Sequence, residues 1–484
     1  MQSRTIQPAP VRSPSVVLAI ILAAQLMAVV DASVVITALP SIHRSLGFST
    51  AGLTWVQTAY MLPFGGLLLL GSRAGDILGR RRVFTAGLGL FTLASLMAGL
   101  AQSPAWLIAA RAVQGASAAV AVPATLTFLM MSFPEGPRRL RAVSLYGAVS
   151  GAAGSIGIVL GGMLTSWLSW RWGMFINVPI GVTAIVLAPR YLPETPRDTK
   201  SFDAAGALAG SLGMFALVFG FIRAASAGWG DWLTTASFTV GLVLLGAMVL
   251  IERHARHPML PLGLFASRER SGALVGRLFL VAGMFSSFFF LTQYFQEARG
   301  YSAIEAGLAF LPMTVVMFAM SRVVPMLAPR VGTGRLLLGG LALAIVGMGW
   351  LSRIWASTGY FPQIAVPMLF VGAGVGIAFI TLTGRAITGV ADRDAGAASG
   401  LVNVFQQVGG CLGIAVLTTV FVSATHAGGG ESDAHVLAHG VSATLTGSTV
   451  SMVLALLVTL ATRQRSSAVI HSAERIDVAD AMAA

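Results

Sequence analysis

The chain has 484 residues, of which 56% are hydrophobic and only 10% are charged, and its formal net charge is +13. So apolar a chain of this length excludes a water-soluble globular protein and indicates a membrane protein with many spans. The positive charge does not indicate nucleic-acid binding, because the basic residues are scattered between apolar runs instead of clustering on one polar face.

Apolar runs follow one another along the whole chain, each long enough to cross a hydrocarbon core of roughly 30 Å as a helix. We therefore predict an all-α polytopic membrane protein, flanked by disordered polar tails at residues 1–15 and 463–484. The fourteen predicted spans are residues 16–39, 51–70, 83–101, 105–131, 142–164, 172–188, 204–222, 233–251, 273–295, 303–326, 336–354, 364–383, 397–423 and 441–461.

The distribution of Arg and Lys between the loops predicts the orientation, because cytoplasmic loops carry the excess of basic residues. Placing the N-terminus inside puts most basic residues on the cytoplasmic side and predicts that both termini are cytoplasmic. Nearly all the basic residues are Arg, with Lys200 the exception, and Ala and Gly are abundant. This coding bias indicates a bacterial source and hence a bacterial cytoplasmic membrane. The outer loops then hold only Arg44, Arg171, Arg223, Arg299 and Arg353.

Asp31 interrupts the apolar run of the first predicted span. A carboxylate at this depth costs roughly 2.5 to 3.5 kcal/mol on insertion scales, so it needs a partner or a function. Arg111, in the fourth span, lies at the same depth, since a rise of 1.5 Å per residue puts both side chains about 10 to 12 Å below the outer boundary. Two interpretations stay open: a structural salt bridge, or a proton-coupling pair in which Asp31 binds a proton or a cationic substrate beside Arg111.

The segment GDILGRRR joins the second and third predicted spans and contains Gly75, Asp76, Gly79, Arg80 and Arg81. Its glycines permit a tight turn, and its arginines can reach carboxylates and lipid phosphates. A cytoplasmic anchor explains the arginines but not the neighbouring aspartate. We therefore favour a conformational latch that holds one conformation of the protein and opens in another.

The fifth predicted span carries a face of glycines that would let another helix approach closely. Ordinary small-residue packing explains them equally well. The members of this helix-five glycine face are Gly147, Gly151, Gly154 and Gly161.

An internal repeat aligns GSRAGDILGRRRVFTAGL with PMLAPRVGTGRLLLGGL, so that Gly79 matches Gly332. The two copies are eight spans apart, which predicts two six-helix halves, at 16–190 and 271–462, with two additional helices and their loops at 191–270. Such halves place a substrate site at their interface near the bilayer midplane.

Several polar or aromatic residues within the spans have weaker interpretations. Four amide side chains either line a substrate path or form interhelical hydrogen bonds. The aromatic run at 288–296 predicts an anchoring belt at the outer interface, Arg277 is predicted to snorkel to the cytoplasmic interface without a function, and Glu305 is predicted to end a helix. The four amides are Gln114, Asn403, Gln406 and Gln407.

Five segments of the chain together resemble one family: VVDASVVITALP, GDILGRRRVF, RAVQG, WRWGMFINVPIG and GYSAIEAGLAFLP. They are similar to motifs of the major facilitator superfamily and, within it, of the fourteen-helix drug/proton antiporter branch, over residues 16–461. The resemblance implies proton-coupled export of amphipathic organic compounds or antibiotics by alternating access. The chain departs from the family at Ile158, where a proline is usual in the antiporter signature of helix five.

Neither an enzyme, a metal site nor a cofactor is predicted, because none of the seven histidines falls in a predicted span and the loops are too short for a catalytic domain. No Walker loop is present, so an ion or substrate gradient supplies the energy. We predict a monomer in the lipid bilayer that binds protons and a neutral, zwitterionic or monocationic amphipathic compound. The alternatives are an exporter or symporter of one endogenous metabolite and a non-transporting membrane sensor.

Overall fold

A computed structural model describes residues 13–133, 136–194, 204–254, 262–390, 395–426 and 433–462. Within these ranges all regular secondary structure is helical and no strand occurs, so the all-α prediction is confirmed. Both predicted tails lie outside the described residues, apart from the start of the first helix.

The first half of the molecule contains the first six predicted spans. The sixth span is divided at Ile176 into a short helix and a longer one. The helices are α1 (Pro14–Leu46), α2 (Thr50–Leu78), α3 (Arg80–Gly99), α4 (Pro104–Ser132), α5 (Pro137–Trp167), α6 (Trp170–Phe175) and α7 (Asn177–Tyr191).

Two helices link the halves, α8 (Ala204–Ala227) and α9 (Trp232–His254), and a 3₁₀ helix follows at Leu262–Ala266. The second half begins with α10 (Arg268–Gln293), which continues as one π-helical turn at Tyr294–Ala298. The remaining helices are α11 (Ala303–Ala309), α12 (Leu311–Val331), α13 (Thr333–Leu351), α14 (Ala365–Ile387), α15 (Ala395–His426) and α16 (Asp433–Thr462).

Each predicted span coincides with one helix or one divided helix. Among the described residues, 12 segments are long and apolar enough to cross a membrane. The other two predicted spans lie in α2 and α5, which have 29 and 31 residues. The structure thus confirms a polytopic helical membrane protein, while the number of fourteen crossings stays a prediction.

The predicted repeat has a counterpart in the backbone. Gly79 ends α2 and begins α3 with φ 100° and ψ 121°, and Gly332 ends α12 and begins α13 with φ 84° and ψ 138°. Positive φ at these values suits glycine and is costly for a residue with a Cβ atom. The same glycine-dependent break therefore occurs at the matching point of each half.

The helices α8 and α9 pair with each other, and α8 packs on α2 and α15, where the two halves meet. The Ser211 hydroxyl donates a 2.8 Å hydrogen bond to the Gly66 carbonyl across this contact. Close backbone approach also joins the halves directly: a Cβ atom added at Gly162 of α5 would lie 2.5 Å from the Ala303 carbonyl oxygen of α11.

The prediction of an aromatic belt at 288–296 is wrong. Phe290 and Phe295 are 1% and 0% exposed, and the Phe295 ring stacks on Tyr301 and meets Phe310 edge-on. The run lies inside the bundle because neighbouring helices surround α10 on all sides, as expected of a helix that is apolar around its whole circumference.

Candidate functional site

Asp31 lies at the centre of the first half and is 0% exposed. Its Oδ2 atom forms an ion pair with Nη1 of Arg111, from α4. Its Oδ1 atom accepts a 3.0 Å hydrogen bond from Gln114 Nε2 and a 2.8 Å bond from Asn177 Nδ2 of α7. Three side chains from two other helices thus hold the carboxylate, as a buried charge requires.

Arg111 is also 0% exposed and is held on several sides. Its Nε donates to the Val56 carbonyl of α2 at 3.1 Å, and its Nη1 donates to Gln114 Oε1 at 3.1 Å. The guanidinium carbon lies 4.5 Å from the centroid of the Tyr60 ring, a cation–π contact. Its Nη2 atom has no hydrogen-bond partner within the described ranges.

Glycines bring these helices close enough for the contacts. A Cβ atom at Gly115, one helical turn from Arg111, would lie 2.1 Å from the Tyr60 carbonyl oxygen. A Cβ atom at Gly181 of α7 would lie 2.0 Å from Thr92 Oγ1 of α3. Since real Cβ atoms do not approach so closely, both positions require glycine for the observed packing.

Sequence reasoning missed three members of this cluster: Tyr60, Ser95 and Asn177. Ser95 of α3 accepts a 2.7 Å hydrogen bond from Gln114 Nε2. Asn177 is a polar residue within an apolar segment, the only signal the sequence offered. Gln114, one of the four amides singled out in the sequence, lies in the Asp31 cluster with no exposed surface and forms interhelical hydrogen bonds there.

The other amides lie on α15 in the second half. Asn403 is exposed and donates to the Ser399 carbonyl at 3.1 Å, one turn back in its own helix. Gln406 is half-buried. Gln407 is buried against α2, where a Cβ atom at Gly65 would lie 2.7 Å from its own Cβ. The three amides therefore run from an exposed position to the contact between the halves.

The snorkelling predicted for Arg277 is wrong, because this side chain is 3% exposed. Its Nη1 donates to the Phe379 carbonyl at 3.3 Å and to Thr383 Oγ1 at 2.5 Å, both on α14. Its Nη2 donates to Gln406 Oε1 at 2.7 Å. Among the described residues, no carboxylate pairs with it.

The helix-five glycine face is only partly against another helix. Gly161 packs tightly on α1, where an added Cβ would lie 2.5 Å from the Val34 carbonyl oxygen, and Gly154 is looser, at 3.9 Å from Ser33 Oγ. Gly157, which was not predicted, is closer to Ser33 than Gly154 is. A Cβ atom added at Gly147 would have no neighbour within 4 Å, and the surroundings of Gly151 lie outside what the structure describes.

Ile158 stands where the antiporter signature has its proline, and α5 runs through it without a break. Its carbonyl accepts a 3.2 Å hydrogen bond from Thr37 Oγ1 of α1. Helix α5 therefore keeps both its own helical hydrogen bonds and a bond to α1 at this point.

The segment predicted as a latch contacts the end of α7 and the residues that follow it. Arg81 pairs with Glu194, which follows α7, at 3.4 Å between Nε and Oε2. Its Nη1 also donates to the Pro189 and Leu192 carbonyls at 3.1 and 3.3 Å. The Gly79 N–H donates a 3.1 Å hydrogen bond to the Gly75 carbonyl at the end of α2, and α3 begins at the next residue, Arg80. The Asp76 side chain lies outside the described residues, and the latch role stays a prediction.

Within the part of the chain that the structure describes, no group of three or more His, Cys, Asp or Glu side chains could hold a metal ion. Cys411 is buried and its thiol is free. The Asp31 cluster offers a carboxylate, which can accept hydrogen bonds or bind a proton, next to an arginine and two amides.

Known proteins resemble the chain over most of its length. Residues 21–414 match the sequence profile of the Major Facilitator Superfamily. The puromycin resistance protein pur8 of Streptomyces alboniger is 41% identical over 415 residues, covering 85% of this chain and 82% of that protein. The cephamycin export protein CmcT of Amycolatopsis lactamdurans is 41% identical over 417 residues, covering 85% and 86%. A crystal structure of an auto-inhibited POT family peptide transporter superposes with a TM-score of 0.65 at 15% identity, covering 93% and 98%.

Proposed function

Since the chain belongs to the major facilitator superfamily, and is therefore a multi-pass membrane transporter and not an enzyme, we propose that it exports amphipathic organic compounds, antibiotics among them, in exchange for protons. The observation that carries the proposal is the buried ion pair between Asp31 and Arg111. An intramembrane carboxylate in a transporter is a functional-site candidate by default, because its burial is costly, and a proton relay is one of the functions such residues serve.

Protonation of Asp31 would change the forces between α1 and its neighbours. The neutral carboxyl no longer balances Arg111, and a buried guanidinium without its anion costs several kcal/mol. Gln114 and Asn177, which donate to the carboxylate, would also lose a charged acceptor. Because these attractions change whenever the proton binds or leaves, we expect α1 to shift relative to α4 and α7.

A shift of α1 would reach the contact between the halves. Thr37 lies six residues beyond Asp31 on α1, about 9 Å along the helix axis. Its carbonyl accepts a 2.9 Å hydrogen bond from Gln296, in the π-helical turn of the second half. This bond supports coupling of the proton site to alternating access, in which the two halves rock about a central site.

Several relatives carry the name of a single antibiotic, among them puromycin and cephamycin. This pattern favours, as a second candidate, export of one compound or one narrow class of compounds. Competition separates the two: a multidrug exporter is inhibited by unrelated amphipathic compounds, whereas a dedicated exporter responds only to close analogues of its substrate.

The test of proton exchange uses inverted membrane vesicles with a preformed pH gradient, to which puromycin and other amphipathic antibiotics are added. The wild-type protein should dissipate the gradient when its substrate is added, and Asp31→Asn should not. Asp231→Asn is the matched control, because Asp231 also pairs with an arginine, Arg223 at 2.9 Å, but in the loop before α9.

Full dissipation by Asp31→Asn, at wild-type protein level in the membrane, would contradict Asp31 as the coupling group. An equal loss in the Asp231→Asn control would show that the assay reports damage to the fold instead of coupling.

We also propose a bacterial cytoplasmic membrane, cytoplasmic termini and a monomer as the active unit. The topology is testable in a Cys411→Ala background with an impermeant maleimide added to intact cells. Ser226→Cys, at an exposed position in the last turn of α8, should be labelled, and Arg82→Cys, at the start of α3, should not; the reverse pattern would overturn the orientation. Light scattering of the purified protein reports the oligomeric state, and a dimer mass would contradict the monomer.

A further inference from the structure

The buried charge of the second half has no counter-ion among the described residues. Arg277 is 3% exposed, and its three acceptors, the Phe379 carbonyl, Thr383 Oγ1 and Gln406 Oε1, are all neutral. The Phe379 ring also covers the guanidinium, at 3.9 Å from its carbon to the ring centroid. Dipoles and a π face stabilise the cation, but the positive charge itself remains uncompensated.

The guanidinium also keeps unused donors. An arginine has five N–H hydrogens, and three of those on Arg277 have acceptors within the described ranges. Its Nε has no hydrogen-bond partner there. Since Nε and Nη2 share one edge of the guanidinium, a carboxylate that displaced the single Nη2 acceptor would find the fork geometry that favours bidentate binding.

That Nη2 acceptor is Gln406, whose side chain is itself partly accessible. Gln406, Thr383 and Phe379 are each half-buried, whereas Asn403, one turn earlier on α15, is exposed. A rotation of the Gln406 side chain would uncover the guanidinium towards the polar face of α15. Replacing the neutral amide of Gln406 by a carboxylate would strengthen the hydrogen bond to the guanidinium, because hydrogen bonds between two charged groups are stronger than those to a neutral acceptor.

We infer that Arg277 binds the carboxylate of a transported compound and that Gln406 occupies this site when no substrate is bound. The inference rests on the proposed function and names the substrate class: amphipathic acids and zwitterions with one carboxylate. It also predicts that a purely cationic compound is not the preferred substrate. Asp31 is already held by Arg111, Gln114 and Asn177, so it has no surface left for a substrate cation.

The experiment compares two fluorescent probes that differ in one charge, N-dansyl-phenylalanine and its methyl ester. Binding is titrated by fluorescence on the purified full-length protein in lipid nanodiscs. The variants are Arg277→Gln, Arg277→Lys and Gln406→Ala. Arg385→Gln is the matched control, because Arg385 of α14 also lies at the contact between α10 and α14 but pairs with a carboxylate of its own, Glu269 of α10, at 3.6 Å.

The wild type should bind the acid more tightly than the ester. Arg277→Gln should weaken binding of the acid by about tenfold or more and leave the ester unchanged. Arg277→Lys should recover part of the loss, since it restores a point charge without the fork. Gln406→Ala should bind the acid more tightly than the wild type, because the competing acceptor is gone, and Arg385→Gln should match the wild type.

Equal wild-type affinity for the two probes would overturn the inference, and so would an equal loss of both probes in Arg277→Gln with a native unfolding profile. If the Arg277 variants do not fold, Gln406→Ala decides: unchanged or weaker binding of the acid overturns the inference. The pH-gradient assay in vesicles is independent of these titrations. A protein that binds the acid through Arg277 but moves no proton with any compound would leave this site standing and overturn the proposed exchange.

Discussion

The two halves of the molecule each bury an arginine within the bundle, and they neutralise it differently. In the first half Arg111 faces Asp31, and amides from α4 and α7 complete the coordination of the carboxylate. In the second half Arg277 faces neutral oxygen atoms of α14 and α15. The first half thus contains a buried cation with an internal counter-ion, and the second contains a buried cation with no counter-ion among the described residues.

The difference indicates a division of labour. An ion pair closed on itself suits a switch, because a single proton changes its charge from zero to +1 without the participation of a substrate. An uncompensated cation suits recognition, because its cost of burial is recovered only when an anion binds. The proton and the substrate would therefore act on different halves, and the contact between the halves would couple them.

The largest expected difference between the halves is in stability, and it should appear when the charge of each buried arginine is removed. Arg111→Met leaves Asp31 as an uncompensated buried carboxylate, which should lower the free energy of unfolding by about 3 to 5 kcal/mol. Arg277→Met removes a charge that has no counter-ion among the described residues, so its unfolding temperature should equal or exceed that of the wild type. Thermal unfolding of both variants in the same detergent measures the difference.

The double variant Asp31→Asn/Arg111→Met is the control for the first half. It removes both charges and should recover most of the stability lost in Arg111→Met, because replacing a whole buried pair is close to neutral. Equal unfolding temperatures for Arg111→Met and Arg277→Met would contradict the distinction between a compensated and an uncompensated charge.

The sequence predicted the position of residues along each helix axis, but it did not predict how each helix is rotated about that axis or which helices it contacts. The position along each helix follows from its length and rise, so the apolar runs predicted the helices, and the matching depths of Asp31 and Arg111 placed both residues at one level. The rotation of each helix and its choice of neighbours were not predictable in this way. Asn177 was missed for that reason, since nothing in its own segment says that α7 turns it towards α1.

The errors at Arg277 and in the aromatic run around Phe295 have the same origin. Both residues were judged by their distance from a membrane interface, where an arginine snorkels and an aromatic ring anchors. Other helices of the bundle enclose α10, so both side chains point into protein and not into lipid. Hydropathy alone does not separate a helix that faces lipid from one that faces other apolar helices.

A smaller difference should come from the glycines that seat each site. Gly115→Ala pushes α4 from α2, where a Cβ would lie 2.1 Å from the Tyr60 carbonyl oxygen, and Gly409→Ala pushes α15 from α10, where it would lie 2.5 Å from the Leu278 carbonyl oxygen. Overpacking at either position should cost about 1 to 3 kcal/mol in the free energy of unfolding. Only Gly115→Ala should also abolish proton exchange, because it displaces the ion pair.

Gly409→Ala should keep proton exchange and change the affinity for the carboxylate probe, since it moves Gln406 relative to Arg277. The two variants are compared by unfolding and by the pH-gradient assay. Loss of exchange in both, at equal stability, would mean that helix spacing in general, and not the geometry of the charge pair, limits transport.

The smallest effect is expected at Asp231, which lies in the loop between α8 and α9, outside both halves, and pairs with Arg223 near the end of α8. The hydrogen bonds from the Arg223 guanidinium lower the pKa of this carboxyl below its ordinary value of 3.8, and the Thr234 N–H adds to the shift. A carboxyl with a lowered pKa stabilises the folded state above its ordinary pKa, and this stabilisation is lost as the pH falls through the lowered value.

Any difference in unfolding temperature between the wild type and Asp231→Asn should therefore be present at neutral pH and shrink as the pH falls below about 4, where the carboxyl of the unfolded state binds a proton. It should vanish once the pH lies below the lowered pKa of the folded state. It should be small throughout, since exposed pairs contribute little and are screened by salt. Substrate-driven dissipation of the pH gradient should equal that of the wild type. An ion pair alters transport in this molecule only where water cannot replace the lost partner, and a transport defect in Asp231→Asn would contradict that rule and give α8 and α9 a part in the cycle.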